Sequence, residues 1–93
     1  MNGIRQVYLN GAFLAPEAAR VSAFDRGFIF GDGVYEVIPV FGGRLFRLPH
    51  HLARLDNSLR EIRLANPLMP SAWQALFERL VQEQGGGELS IYL

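Results

Sequence analysis

Between positions 49 and 84 the apolar residues recur with the period of an α-helix, and on either side of that stretch they alternate with the period of a β-strand. This change of period limits the chain to folds in which helices cover a sheet. Leu52, Leu55, Leu59 and Ile62 form one apolar stripe, behind a Pro49 whose fixed φ and missing N–H suit the first position of a helix. That helix is expected over 49–64, ending ahead of Asn66-Pro67. Trp73, Leu76, Phe77, Leu80 and Val81 form a second stripe, with Ser71 and Gln74 in the spacing of a capping box and Gly85-Gly86-Gly87 to stop it. This predicts a second helix over 71–84, with the glycines as a linker to the next element. Each helix is apolar on one side only, so each gains most of its stability from whatever covers that side.

The flanking segments supply the cover. Residues 5–14 hold short apolar runs around Asn10-Gly11, the pair favoured in a type I′ turn because both central residues need positive φ, and they predict a hairpin. Over 20–33, Gly27, Gly31, Gly33, Asp25 and Asp32 break any long period, which predicts a turn-rich loop with one helical turn. A strand over 34–41 puts Val34, Glu36, Ile38 and Val40 on one face and Tyr35, Val37, Pro39 and Phe41 on the other. Pro39 has no N–H for a sheet ladder, so its nitrogen is expected at an edge or a bulge. Gly42-Gly43 turns the chain into a returning strand over 44–48, and 88–93 alternates as a closing strand. A sequence that stops inside a strand raises the expectation that the natural protein continues past Leu93. The expected fold is α+β: one small domain with a mostly antiparallel sheet and two amphipathic helices packed on one of its faces.

Composition narrows the possible functions. The 93 residues are 49% hydrophobic, enough apolar surface for a folded core rather than a disordered chain. Formal charge is zero and the basic residues form no stripe, so neither nucleic acid nor an acidic membrane surface is an expected partner. With no cysteine, disulfides and zinc–thiolate sites are excluded. The first residues lack the apolar core of a signal peptide, and a cytoplasmic protein is expected. All nine basic residues are arginine. Without lysine, no side chain here can form an imine with a carbonyl compound.

A few residues could carry chemistry. His51, Arg54 and Ser58 share a helical stripe beside the leucines, which sets Arg54 at the edge of the core. A guanidinium there suits a phosphate, because its planar fork matches two oxygens, although an arginine in such a place more often forms a salt bridge or reaches to water. Tyr35 follows Gly31-Asp32-Gly33 and could direct its hydroxyl into a cleft or pack as a core aromatic. Glu36 faces the other way and could orient Arg54 or lie in solvent. Phe28 and Phe30 fit a core better than a pocket wall. His50 and His51 are adjacent rather than four apart, so a structural role suits them and no metal site is expected.

Taken in order, these residues carry a stronger signal. Gly31-Asp32-Gly33-Val34-Tyr35-Glu36, then Gly42-Gly43, then His51-x-x-Arg54-Leu55 with Ser58-Leu59 closely resemble the class IV aminotransferases, the fold-type IV group of pyridoxal-phosphate enzymes. Val34-Tyr35-Glu36 favours the branch acting on D-amino acids, since branched-chain relatives usually carry Phe at the tyrosine.

The resemblance implies that residues 1–93 are the N-terminal small domain of such an enzyme, with Arg54 on the phosphate of pyridoxal 5'-phosphate. Tyr35 would line the active site near the substrate carboxylate, and Phe30 would line the substrate pocket. The implied reaction moves an amino group between an amino acid, such as D-alanine, and a 2-oxo acid, in a homodimer. The family's cofactor-linked lysine and the carboxylate on the pyridine nitrogen belong to a second domain, so these 93 residues alone are expected to be inactive. Two alternatives remain open: an aminodeoxychorismate lyase of the same fold, or a non-enzymatic binding or dimerisation module.

Overall fold

The computed structural model describes residues 3–93. The chain begins with a hairpin of β1 (Val7–Leu9) and β2 (Ala12–Leu14), closed by Asn10 at φ 51° and Gly11 at φ 86°. Both central residues are left-handed, as a type I′ turn requires. Tyr8 and Phe13 pair across the strands, edge to face at 5.2 Å. A 3-10 turn at Pro16–Ala18 and a four-residue helix α1 (Arg26–Ile29) follow. The Asp25 carboxylate caps α1 by accepting from the Gly27 N–H at 2.8 Å.

The main sheet is antiparallel, in the order β4 (Arg44–Leu45), β3 (Val37–Phe41), β5 (Leu89–Tyr92). Helices α2 (Leu48–Glu61) and α3 (Pro70–Glu83) supply the remaining core. Ile38, Val40 and Ile91 of the sheet pack with Leu48, Leu55 and Leu59 of α2 and with Trp73, Leu76, Phe77 and Val81 of α3. Trp73 stacks on Phe77 at 5.6 Å, and its indole N–H donates to Asn66 Oδ1 at 2.8 Å, so the aromatic body is buried without stranding its polar group. No helix among the described residues is long and apolar enough to cross a membrane.

Four expectations change. The strand expected over 34–41 begins at Val37, although Glu36 already exchanges both backbone hydrogen bonds with Leu93 at 2.9 Å. The strand expected over 44–48 is only Arg44–Leu45, because Arg47 turns the chain at φ 53° and Leu48 opens α2. Ser71 and Gln74 form no capping box: α3 starts one residue earlier, with Pro70 in the first turn and no side-chain cap on Met69. Proline leaves one fewer orphan N–H to satisfy there.

Pro39 is the fourth, since it lies in the central strand. Glu36 bonds to β5, so by antiparallel alternation Ile38 and Val40 do as well, while Pro39 directs its nitrogen toward β4. β4 is two residues long, and beyond it only the Phe46 N–H reaches the Pro39 carbonyl, at 2.8 Å. Pro39 therefore occupies the flank where the ladder has run out.

Both long helices end in the same way. The Leu64 N–H reaches the Leu59 carbonyl and the Arg63 N–H reaches Arg60, with Arg63 at φ 60°; Gly86 and Gly85 repeat the pattern on Val81 and Gln82. These are Schellman motifs, which satisfy carbonyls left over in the last turn.

Candidate functional site

Strand alternation divides the Tyr35-Glu36 pair. Glu36 shares the buried face with Ile38 and Val40 and is 4% exposed, whereas Tyr35 faces out and is 65% exposed. A buried carboxylate needs partners, and α2 provides them from residues three apart on one face. Arg54 Nε donates to Glu36 Oε2 at 2.7 Å and Nη2 donates to Oε1 at 2.8 Å, a bidentate clamp. His51 Nδ1 lies 2.7 Å from the same Oε1. An ionised carboxylate can only accept, so Nδ1 carries the hydrogen and donates it.

The hydrogen bonds from Arg54 hold the Glu36 carboxyl below the usual glutamate range; burial pushes the other way and is outweighed, with the His51 hydrogen bond and the charges of both partners adding to the lowering. Glu36 in turn raises the guanidinium of Arg54, first through the hydrogen bonds and then through its charge, and Tyr35 adds a smaller effect of the same sign. The Arg54 side chain remains 66% exposed. Its Nη1 group and the second Nη2 hydrogen have no partner among the described residues. The result is a guanidinium fixed on its inner edge and open on its outer one.

The other candidates lie on the surface. Tyr35 stacks on Tyr92 of β5, with ring centroids 5.9 Å apart and planes 11° apart, a diagonal cross-strand pair. Phe30 is 64% exposed under the Arg26 guanidinium, which sits 4.6 Å from its centroid. The expectation that Phe28 and Phe30 belong to the core is wrong, because both are exposed, as is every residue from 21 to 33. Their loop has no neighbour to bury them. Tyr35 is paired with Tyr92 and Phe30 with Arg26, and among the described residues no hydrogen bond or cation–π contact joins either ring to Arg54. Two concavities, of about 440 and 1060 Å³, lie elsewhere, and neither is lined by Arg54, Tyr35 or Phe30.

Of the two roles open to Glu36, the structure selects the first: it orients Arg54. The pairing of Tyr35 with Tyr92 had no local signal, because it depends on the register between β3 and β5.

A family model for class IV amino-transferases matches residues 33–93, the segment that holds Tyr35, Glu36, His51 and Arg54. The chain belongs to this family. Among curated relatives, a D-alanine aminotransferase of Staphylococcus aureus (strain N315) is 46% identical over 61 residues, covering 66% of this chain and 22% of the relative. A D-alanine aminotransferase of Staphylococcus epidermidis is 38% identical over 88 residues, covering 95% of this chain and 31% of the relative. A solved branched-chain aminotransferase from the thermophilic archaeon Thermoproteus uzoniensis, with norvaline, superposes with a TM-score of 0.84 at 27% identity, over 94% of this chain and 31% of that one. The chain thus spans between a fifth and a third of the length of these class IV enzymes. The likeness to the solved structure supports the same α+β architecture that the periodicity predicts.

Proposed function

We propose that residues 1–93 are the N-terminal small domain of a pyridoxal-phosphate-dependent aminotransferase, and that the whole protein moves an amino group between a D-amino acid, such as D-alanine, and a 2-oxo acid. The observation that carries this reading is the outward-facing guanidinium of Arg54, held by a buried carboxylate and with N–H groups left over. Such a group fits a phosphate: it is positively charged at every working pH, its inner edge is already fixed, and its free donors can meet two phosphate oxygens. Arg54 would hold the phosphate of pyridoxal 5'-phosphate. When bound, that cofactor supplies the electron sink for charge developing at the substrate α-carbon. The Tyr35 hydroxyl would meet the substrate near its carboxylate, and the Phe30 ring would give the substrate side chain an apolar wall. The lysine that the family links to its cofactor has no counterpart among these 93 residues and would come from the rest of the protein.

The D-amino-acid branch is supported by the D-alanine aminotransferases at 46% and 38% identity, beside 27% for the branched-chain structure. A cytoplasmic homodimer, without nucleic-acid or membrane partners, completes the reading. The exposed Tyr35, Phe30 and Arg54 would then be covered by the second domain and by the other subunit.

Two measurements on the full-length protein test it. Arg54→Ala should weaken binding of pyridoxal 5'-phosphate by roughly 10- to 100-fold, the usual effect of losing a hydrogen bond to a charged group, and Arg54→Lys should restore only part of it. Unchanged affinity in a folded Arg54→Ala protein would remove the phosphate assignment. Turnover of D-alanine should exceed that of L-branched-chain amino acids and of aminodeoxychorismate, and the reverse order would move the protein to another branch of the family.

A further inference from the structure

We propose that Glu36 and His51 are positioning residues for phosphate binding, acting through Arg54 and making no contact with the cofactor themselves; this rests on the assignment of Arg54 to the phosphate. Glu36 is the only buried charged residue among the described ones, and burial of an acid is costly unless something fixed answers it. Arg54 and His51 supply three hydrogen bonds of 2.7–2.8 Å to its two oxygens. The carboxylate uses the Nε edge of the guanidinium and leaves the Nη1 end open. A phosphate therefore meets Arg54 end-on, in an orientation that Glu36 sets and that the backbone of α2 alone does not.

An arginine carries about 2 kcal/mol of rotamer entropy, the equivalent of roughly 30-fold in affinity, and a free guanidinium must give much of it up on binding. The clamp has removed most of that freedom before any phosphate arrives. His51 adds a second layer. Its Nδ1–H donates to the oxygen that also accepts from Arg54 Nη2, which fixes the plane of the carboxylate and hence that of the guanidinium. One effect opposes this: Glu36 carries a negative charge close to the site and repels a phosphate. That repulsion opposes the positioning effect, and the His51 variants, which leave the Glu36 charge in place, read the positioning effect alone.

The test uses full-length protein and two probes, pyridoxal 5'-phosphate and pyridoxal, which lacks the phosphate, titrated at low salt and at about 0.5 M salt, where the Debye length is roughly 4 Å. In E36Q, one Glu36 oxygen becomes an NH₂ group facing an arginine donor, so one arm of the clamp is lost. At high salt E36Q should bind pyridoxal 5'-phosphate about 5- to 10-fold more weakly and pyridoxal within about twofold of the parent protein, and in an R54A background E36Q should cause no further loss. His51→Phe should weaken the phosphorylated probe by about 2- to 4-fold, and His51→Asn, whose amide can replace the Nδ1–H donor, should recover most of it. Equal loss for both probes, or an undiminished effect of E36Q in the R54A background, would mean a purely structural role and overturn the inference. If E36Q does not fold, the His51 pair decides by the same ratio of probes. Retained affinity in folded R54A would instead overturn the phosphate assignment beneath it, and loss in R54A with none in E36Q or His51→Phe would leave that assignment standing and overturn this one.

Discussion

Two arginine–carboxylate pairs in this chain close at the same 2.7 Å, Arg26 at the start of α1 with Asp32 in the loop after it, and Arg54 of α2 with Glu36 just ahead of β3. Their arginines are almost equally open to solvent, 72% and 66% exposed. The acids are not: Asp32 is 48% exposed and Glu36 4%. Water solvates Asp32 whether or not Arg26 is present, so that pair belongs to the weak class of surface ion pairs. Glu36 has exchanged water for Arg54 and His51, and its burial depends on them. Contact distance alone does not rank ion pairs; the surroundings of the less exposed partner do.

The comparison breaks most completely when the core that buries Glu36 is removed. Phe77 fills the same core as Ile38 and Val40, and Phe77→Ala should destabilise the small domain by about 3–5 kcal/mol, much of what a domain of this size has. Urea unfolding of the full-length protein measures it, and a loss under about 1 kcal/mol would show that Phe77 is not central to the packing. Next in size is the expected 10- to 100-fold loss of cofactor affinity in Arg54→Ala, read beside the melting temperature.

Acid gives a smaller and directional effect. The folded Glu36 carboxyl holds its proton more weakly than the unfolded one, so on acidification the unfolded chain takes up the proton first. Its stabilising contribution is complete above the ordinary glutamate range, near pH 4, and is lost as pH falls through the lower folded value. Glu36→Gln should therefore flatten the acid limb of the stability profile below about pH 5; melting temperatures from about pH 2 to 7 measure this, and a limb as steep as the parent's would contradict it. The smallest effect belongs to the loop pair. Arg26→Ala should change stability by less than about 0.5 kcal/mol, and a loss above about 1 kcal/mol would show that the two pairs are more alike than their exposures indicate.

Much of the site could be read from the sequence, but unevenly. The alternation that set Glu36 opposite Tyr35 and the helical spacing that joined His51 to Arg54 both hold, because each is a property of one element and its own period. Whether Glu36 met Arg54 or water could not be read, since the answer depends on how β3 and α2 pack, 18 positions apart in the chain. Phe28 and Phe30 misled for the converse reason: hydrophobicity states what a residue would gain by burial, and their loop has nothing above it.

The amino-acid sequence by itself determined the hairpin turn at Asn10-Gly11, the two amphipathic helices within a few residues of their ends, the division of the β3 residues between two faces, and the family motif. These rest on steric preferences and periodicities that act within a few residues. Only the tertiary structure decided that β3 is central despite Pro39, that Tyr35 stacks on Tyr92, and that a buried Glu36 holds an exposed Arg54. Each of these joins residues from separate elements, and such contacts form only when packing, driven by burial of the whole apolar face, brings those elements together.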